Sequence, residues 1–151
     1  ADYAFGRLAL WVPSDGQLPA DIRDLASAAF SRIAIANPAH APYGKAAIEA
    51  LTSAGIRTAV ADRLVYGKSV ADALLLAKAR NATVAVTALS LALAEDGRYR
   101  IVPESLHDPI RQTLVVTSQK PAARAFAAFV TSAKGRSVLA RHGFGLPPSR
   151  R

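Results

Sequence analysis

The chain contains no cysteine and no methionine. Without cysteine there is no disulfide and no thiolate metal site, a composition compatible with export that does not by itself establish it. Without an initiator methionine, the sequence reads as a processed, tag-cleaved or truncated chain, and no signal peptide is left to read. Long hydrophobic runs are also lacking. The longest, around Ala71–Ala79, is interrupted by Asp72 and Lys78 and falls short of a bilayer span. Acid is missing from the tail: residues 109–151 hold 8 Lys/Arg and no Asp/Glu, whereas residues 1–108 hold 11 of each, so the tail carries the whole net charge of +8. A basic tail can address nucleic acid or an anionic membrane. Here Arg111, Lys120, Arg124, Lys134, Arg136 and Arg141 stand singly among alanines, with no interleaved aromatic platform, and nucleic acid is not expected as a partner.

What is present is enough for one domain with a real core: 151 residues, 51% of them hydrophobic. The organising stretch is Arg32–Leu51. Arg32–Ala36 is a short apolar run that reads as a buried strand, Asn37–Pro42 is a loop with two prolines, and Tyr43-Gly44-Lys45 opens an alanine-rich helix that stops at Gly55. Around it the sequence predicts strands at Arg7–Val12, Arg63–Tyr66, Thr83–Thr87, Tyr99–Val102 and Ile110–Thr117. Helices are expected at Asp21–Phe30, Ser69–Arg80, Leu89–Ala94, Pro121–Thr131 and Lys134–His142, with Ala1–Gly6 as a lead-in and Pro147–Arg151 frayed. Ser69 caps its helix, and Asp72 three residues on makes an acidic variant of the capping box. Strands alternating with helices argue an α/β fold with a mostly parallel sheet covered on both faces.

Catalytic constellations are not found. Gly67-Lys68-Ser69 ends like a phosphate-binding P-loop, but the glycine that motif needs five residues earlier is Asp62. His40, His107 and His142 lack metal-ligand spacing, there is no Gly-x-Ser-x-Gly elbow, and no carboxylate pair stands out. No enzyme is expected. The sequence offers instead two helix starts, at Tyr43 and Val70, each following a strand. The first amides of a helix have no internal partner and lie at the positive end of its dipole, so the two starts could face one anion.

The stretch IAIANPAHAPYGKAAIEAL resembles the central signature of the periplasmic molybdate-binding proteins of ABC importers. Gly6–Trp11 is similar to that family's crossing between lobes, Arg63–Val70 to its second ligand segment, Ile110–Thr113 to its return crossing and Arg141–Pro147 to its C-terminal end. The resemblance covers nearly all of the chain, with five segments in order. It implies a periplasmic-binding-protein type II-like fold that closes on molybdate or tungstate through neutral hydrogen bonds, and delivery to an ABC importer's membrane permease from the periplasm. No cofactor is implied; the metal enters only as the centre of the oxyanion. By position, Tyr43 and Val70 match ligand residues, with Pro42, Gly44 and Ser69 in support. A second branch of the family uses a tyrosine where this chain has Ala88.

The resemblance also implies the division 1–10 lead-in and hinge crossing, 11–108 ligand-binding lobe, and 109–151 return crossing with C-terminal helices of a first lobe. Most of that first lobe's own segment is expected to be missing from this sequence, which would weaken ligand binding and favour self-association through apolar helix faces at Phe126 and Phe129. Two other readings remain open: the oxyanion-sensing lobe of a cytoplasmic regulator, and a truncated lobe acting as an interaction module.

Overall fold

The computed structural model describes residues 2–148. Two short strands open the chain, β1 (Asp2–Gly6) and β2 (Leu8–Val12), so the expected lead-in is itself a strand. Three units of strand followed by helix come next. They are β3 (Ile33–Ala36) with α1 (Pro42–Ser53), β4 (Leu64–Gly67) with α3 (Val70–Lys78), and β5 (Val84–Ala88) with α4 (Leu89–Ala92). A single turn, α2 (Arg57–Val60), links the first unit to the second, and β6 (Arg98–Ile101) follows the third.

These strands form a five-stranded sheet in the order β4-β3-β5-β2-β6. β3 pairs in parallel with both β4 and β5, while β2 runs antiparallel to its neighbours β5 and β6. One strand in five is therefore reversed, in keeping with the mostly parallel sheet expected. The reversal brings the start of β2 beside the end of β5, with Leu8 opposite Ala88.

Alternation along the strands separates two packed layers. Leu8, Leu10, Ile33, Ile35, Val84 and Val86 face α1, through Ala46, Ala47, Ala50 and Leu51. Ala9, Trp11, Ala34 and Ala85 face α3 and α4, through Ala73, Leu74, Ala77 and Leu89. Every residue of β2, β3 and β5 is buried, as strands covered on both faces must be. The second layer is lined mostly by alanine, which lets α3 lie close to the sheet.

β7 (Ile110–Thr113) pairs antiparallel with β1 in a separate two-stranded ribbon, Gly6 opposite Ile110. The expected strand to Thr117 ends at Thr113, the last residue of β7 that pairs with β1, opposite Asp2. Beyond it Val115 and Val116 are exposed. Helices α5 (Pro121–Thr131) and α6 (Ala133–Arg141) then form a hairpin about Ser132, whose hydroxyl accepts from the Gly135 amide and donates to the Phe129 carbonyl. No residue of α5 is buried.

The helix expected over Asp21–Phe30 is only a 3-10 turn, Ile22–Ala26. Its start is an ordinary capping box, the Asp24 carboxylate accepting the amides of Ala20 and Asp21. After it the chain turns extended at Ser27, and the Arg63 guanidinium donates to the carbonyls of Ala26, Ser27 and Phe30 there. Helix ends follow ordinary rules elsewhere. Gly55 at φ 77 closes α1 with the Ile56 amide bonded to the Leu51 carbonyl, and Gly143 at φ 83 closes α6 in the same way. α3 ends in the same motif, with Arg80 at φ 64 in the position glycine would favour.

Candidate oxyanion site

The site is built where β3 and β4 end. The two strands are parallel neighbours with Ala36 level with Gly67, and the Asn37 amide donates to the Gly67 carbonyl at 2.8 Å. The helices that follow them, α1 and α3, therefore both start at one edge of the sheet. This is the carboxyl edge, where ligands gather in open α/β folds.

Two glycines set the approach of helix to strand. A Cβ on Gly44 would lie 2.2 Å from the Ala36 carbonyl oxygen, so α1 can press on the end of β3 only because that residue has no side chain. A Cβ on Gly67 would lie 2.6 Å from the Ala73 nitrogen, which gives α3 the same closeness to β4.

The two starts leave donors free. In the loop before α1, Asn37 is already occupied: its side chain accepts the Ala39 amide and its carbonyl accepts the amides of His40 and Ala41. The N-cap of α1, Ala41, offers no side-chain acceptor, and Pro42 at the first position has no N–H. The amides of Tyr43 and Gly44 make no hydrogen bond among the described residues. At α3 the Ser69 hydroxyl accepts the Asp72 amide at 3.1 Å, leaving the amides of Val70 and Ala71 free. The capping box departs from expectation by one residue: the Asp72 carboxylate accepts the amide of Lys68, not of Ser69. α4 is different again, since its first amide, Leu89, is taken by the Arg7 carbonyl.

The residues singled out in the sequence thus fall at two neighbouring helix starts. Pro42, Tyr43 and Gly44 form the first turn of α1, and Ser69 and Val70 are the cap and first residue of α3. Ala88 ends β5 at the same edge and is buried. The Tyr43 side chain leans away from solvent onto Gly6 and Ile110, and its burial, with a smaller push from Tyr3, holds its hydroxyl above the usual phenol range. It is neutral at physiological pH. A 180 Å³ depression lined by Pro13, Phe30, Arg80 and Thr83 lies at the far edge, where β3 and β5 begin, away from both helix starts. Among the described residues no cluster of three His, Asp or Glu could hold a metal ion. None of the helices is long and apolar enough to cross a membrane, again among the described residues.

Sequence reasoning missed Thr87. It is fully buried at the end of β5, and its hydroxyl donates to the Val70 carbonyl at 2.9 Å. A lone threonine in a β-branched strand gives no signal of a bond to a helix 17 residues away.

The sequence profile of the bacterial extracellular solute-binding proteins matches residues 1–145. The chain belongs to this solute-binding family. Among curated relatives of this solute-binding chain is the molybdate-binding protein ModA of Azotobacter vinelandii, 35% identical over 152 residues that cover 95% of this chain and 60% of the relative. The molybdate-binding protein ModA of Rhodobacter capsulatus is 32% identical, covering 94% and 58%. Among solved structures, the Azotobacter vinelandii periplasmic molybdate-binding protein superposes with a TM-score of 0.84 at 28% identity, over 97% of this chain and 68% of that one. The chain therefore spans about three fifths of the length of the curated relatives it matches.

Proposed function

We propose that this chain is the ligand-binding lobe of a receptor for a tetrahedral oxyanion, molybdate or tungstate, and that it hands the anion to the permease of an ABC importer outside the cytoplasm. It binds and releases; it carries out no chemistry. The observation that carries the reading is the pair of helix starts on adjacent parallel strands, with the amides of Tyr43, Gly44, Val70 and Ala71 free of protein partners. Tyr43 and Val70 supply ligand amides. Pro42 fixes the first turn, Gly44 allows the close approach, and Ser69 keeps the α3 start open by capping from the side. The names of the Azotobacter and Rhodobacter relatives supply the anion's identity. In this reading residues 11–108 form the ligand-binding lobe, residues 1–10 the lead-in and hinge crossing, and residues 109–151 the return crossing and C-terminal helices of a first lobe.

Selectivity follows from the donors. Amides at helix ends provide partial positive charge without a counter-ion and no acceptor for a proton. A dianion that carries no proton satisfies every donor. Phosphate at neutral pH keeps one proton, which would leave an unsatisfied contact costing ~1–3 kcal/mol. Calorimetric titration with molybdate, tungstate, sulfate and phosphate tests the reading. Heat with the first two and none with phosphate is expected; phosphate binding equal to molybdate would overturn it.

A further inference from the structure

Thr87 is the one polar side chain in the buried set among the described residues, and nothing in its packing asks for a hydroxyl. It points from β5 to the face that carries Ala85, a layer otherwise made mainly of alanine and leucine. A buried hydroxyl is costly unless it is used. Here it reaches the Val70 carbonyl, in the first residue of α3, at 2.9 Å. That carbonyl lies within the helix, where the helix's own ladder supplies a donor, so the bond is not needed to satisfy an orphan. The cap of α3 is a separate device, Ser69 holding the Asp72 amide.

The geometry of a peptide gives the bond a purpose. The Val70 carbonyl and the Ala71 N–H share one rigid plane and point in opposite directions. Anchoring the carbonyl to the sheet turns the Ala71 N–H outwards, past the helix start, towards the edge where Tyr43 and Gly44 also present free amides. We propose that Thr87 is a positioning residue for the anion: its hydroxyl sets the rotation of the first turn of α3, so that the amides of Val70 and Ala71 converge with those of α1. This inference rests on the oxyanion reading above. An anion on the Ala71 N–H polarises that peptide and strengthens the bond from Thr87 to its carbonyl, so the strand and the ligand reinforce each other.

The test is an NMR titration of the ¹⁵N-labelled chain with molybdate, comparing the parent with Thr87→Val and Thr87→Ser and following thermal unfolding in parallel. The parent is expected to respond at Tyr43, Gly44, Val70 and Ala71. Thr87→Val is expected to lose affinity about tenfold, equivalent to ~1.4 kcal/mol, and to lose the responses of Val70 and Ala71 before those of Tyr43 and Gly44. Thr87→Ser, which keeps the hydroxyl, is expected to recover both. Unchanged affinity and undiminished Val70 and Ala71 responses in Thr87→Val would overturn the inference while leaving the oxyanion reading intact. So would a loss that Thr87→Ser does not recover and that tracks unfolding, since the role would then be structural. A parent chain silent at both helix starts would overturn the oxyanion reading itself, and the inference with it.

Discussion

The hydroxyl of Tyr43 lies against the backbone of Gly6: a Cβ there would stand 2.3 Å from the oxygen and 2.6 Å from the ring carbon that bears it. One residue thus opens α1 with its amide and touches the β1–β7 ribbon with its ring. Gly6→Ala must displace that ring. The obstacle is the far end of a side chain, so the cost to stability is expected to be small, ~1 kcal/mol or a few degrees in melting temperature. The displaced ring drags on the first turn of α1, and molybdate affinity is expected to fall more than stability does. Calorimetry beside thermal unfolding measures the two separately.

Gly44 presents the opposite case. Its added Cβ would meet backbone, the Ala36 carbonyl oxygen at 2.2 Å and its carbon at 2.8 Å, and neither can swing aside. Gly44→Ala is expected to push α1 off the end of β3, costing ~1–3 kcal/mol and lowering the melting temperature by roughly 2 to 12 °C. Thermal unfolding followed by circular dichroism checks the figure. A fully stable Gly44→Ala chain would show that α1 does not press on the strand.

Two shifted groups of the chain, Tyr43 and Asp2, both titrate outside the mildly alkaline range. Burial raises the Tyr43 pKa, so the hydroxyl's contribution to stability is complete below its unfolded value near 10 and is lost only as pH rises through its higher folded value. Asp2 is shifted the other way, mainly by the hydrogen bond from Arg111 and next by that from Thr113. Its contribution is present above the unfolded value near 4 and is lost as pH falls through the lower folded one. Between about pH 8 and 9 neither group changes charge, and molybdate affinity measured by calorimetry is expected to stay constant. A step in that window would place a titrating group on the anion.

The C-terminal hairpin carries apolar surface in the open. Phe126 is 62% exposed and Phe129 44%. Burying one such side chain is worth ~1.5–3 kcal/mol, and contiguous patches of this kind find partners. Light scattering over a range of concentrations is expected to show self-association of this chain, reduced in Phe126→Ser/Phe129→Ser. A clean monomer at all concentrations would contradict this.

Much of the frame around the site was legible in the sequence, for local reasons. The run Ile33–Ala36 is bounded by Asn37-Pro38 and followed by a helix that ends in a glycine at positive φ, so strand, loop and helix could be read from composition and caps. Pro121 marked the start of α5 in the same way. The failures were non-local. The stretch after Asp21 has helical periodicity, yet it leaves the helix at Ser27, where Arg63, far along the chain, donates to the carbonyls of Ala26, Ser27 and Phe30. β7 pairs with β1 only as far as Thr113, and its own β-branched residues do not announce where that pairing stops. Arg80 closes α3 in a conformation glycine would favour, and nothing in the residue type foretells it. In the site, the helix starts could be located, but not what aims them: the tight seats of Gly44 and Gly67, and the reach of Thr87 to Val70, exist only once strands and helices are packed.

The most direct test is to locate the anion. Crystals of the chain soaked in tungstate, measured with anomalous scattering from tungsten, are expected to show one strong peak at the carboxyl edge of β3 and β4, with oxyanion atoms ~3 Å from the amides of both Tyr43 and Val70. A peak elsewhere on the molecule, or one touching a single helix start, would contradict the account.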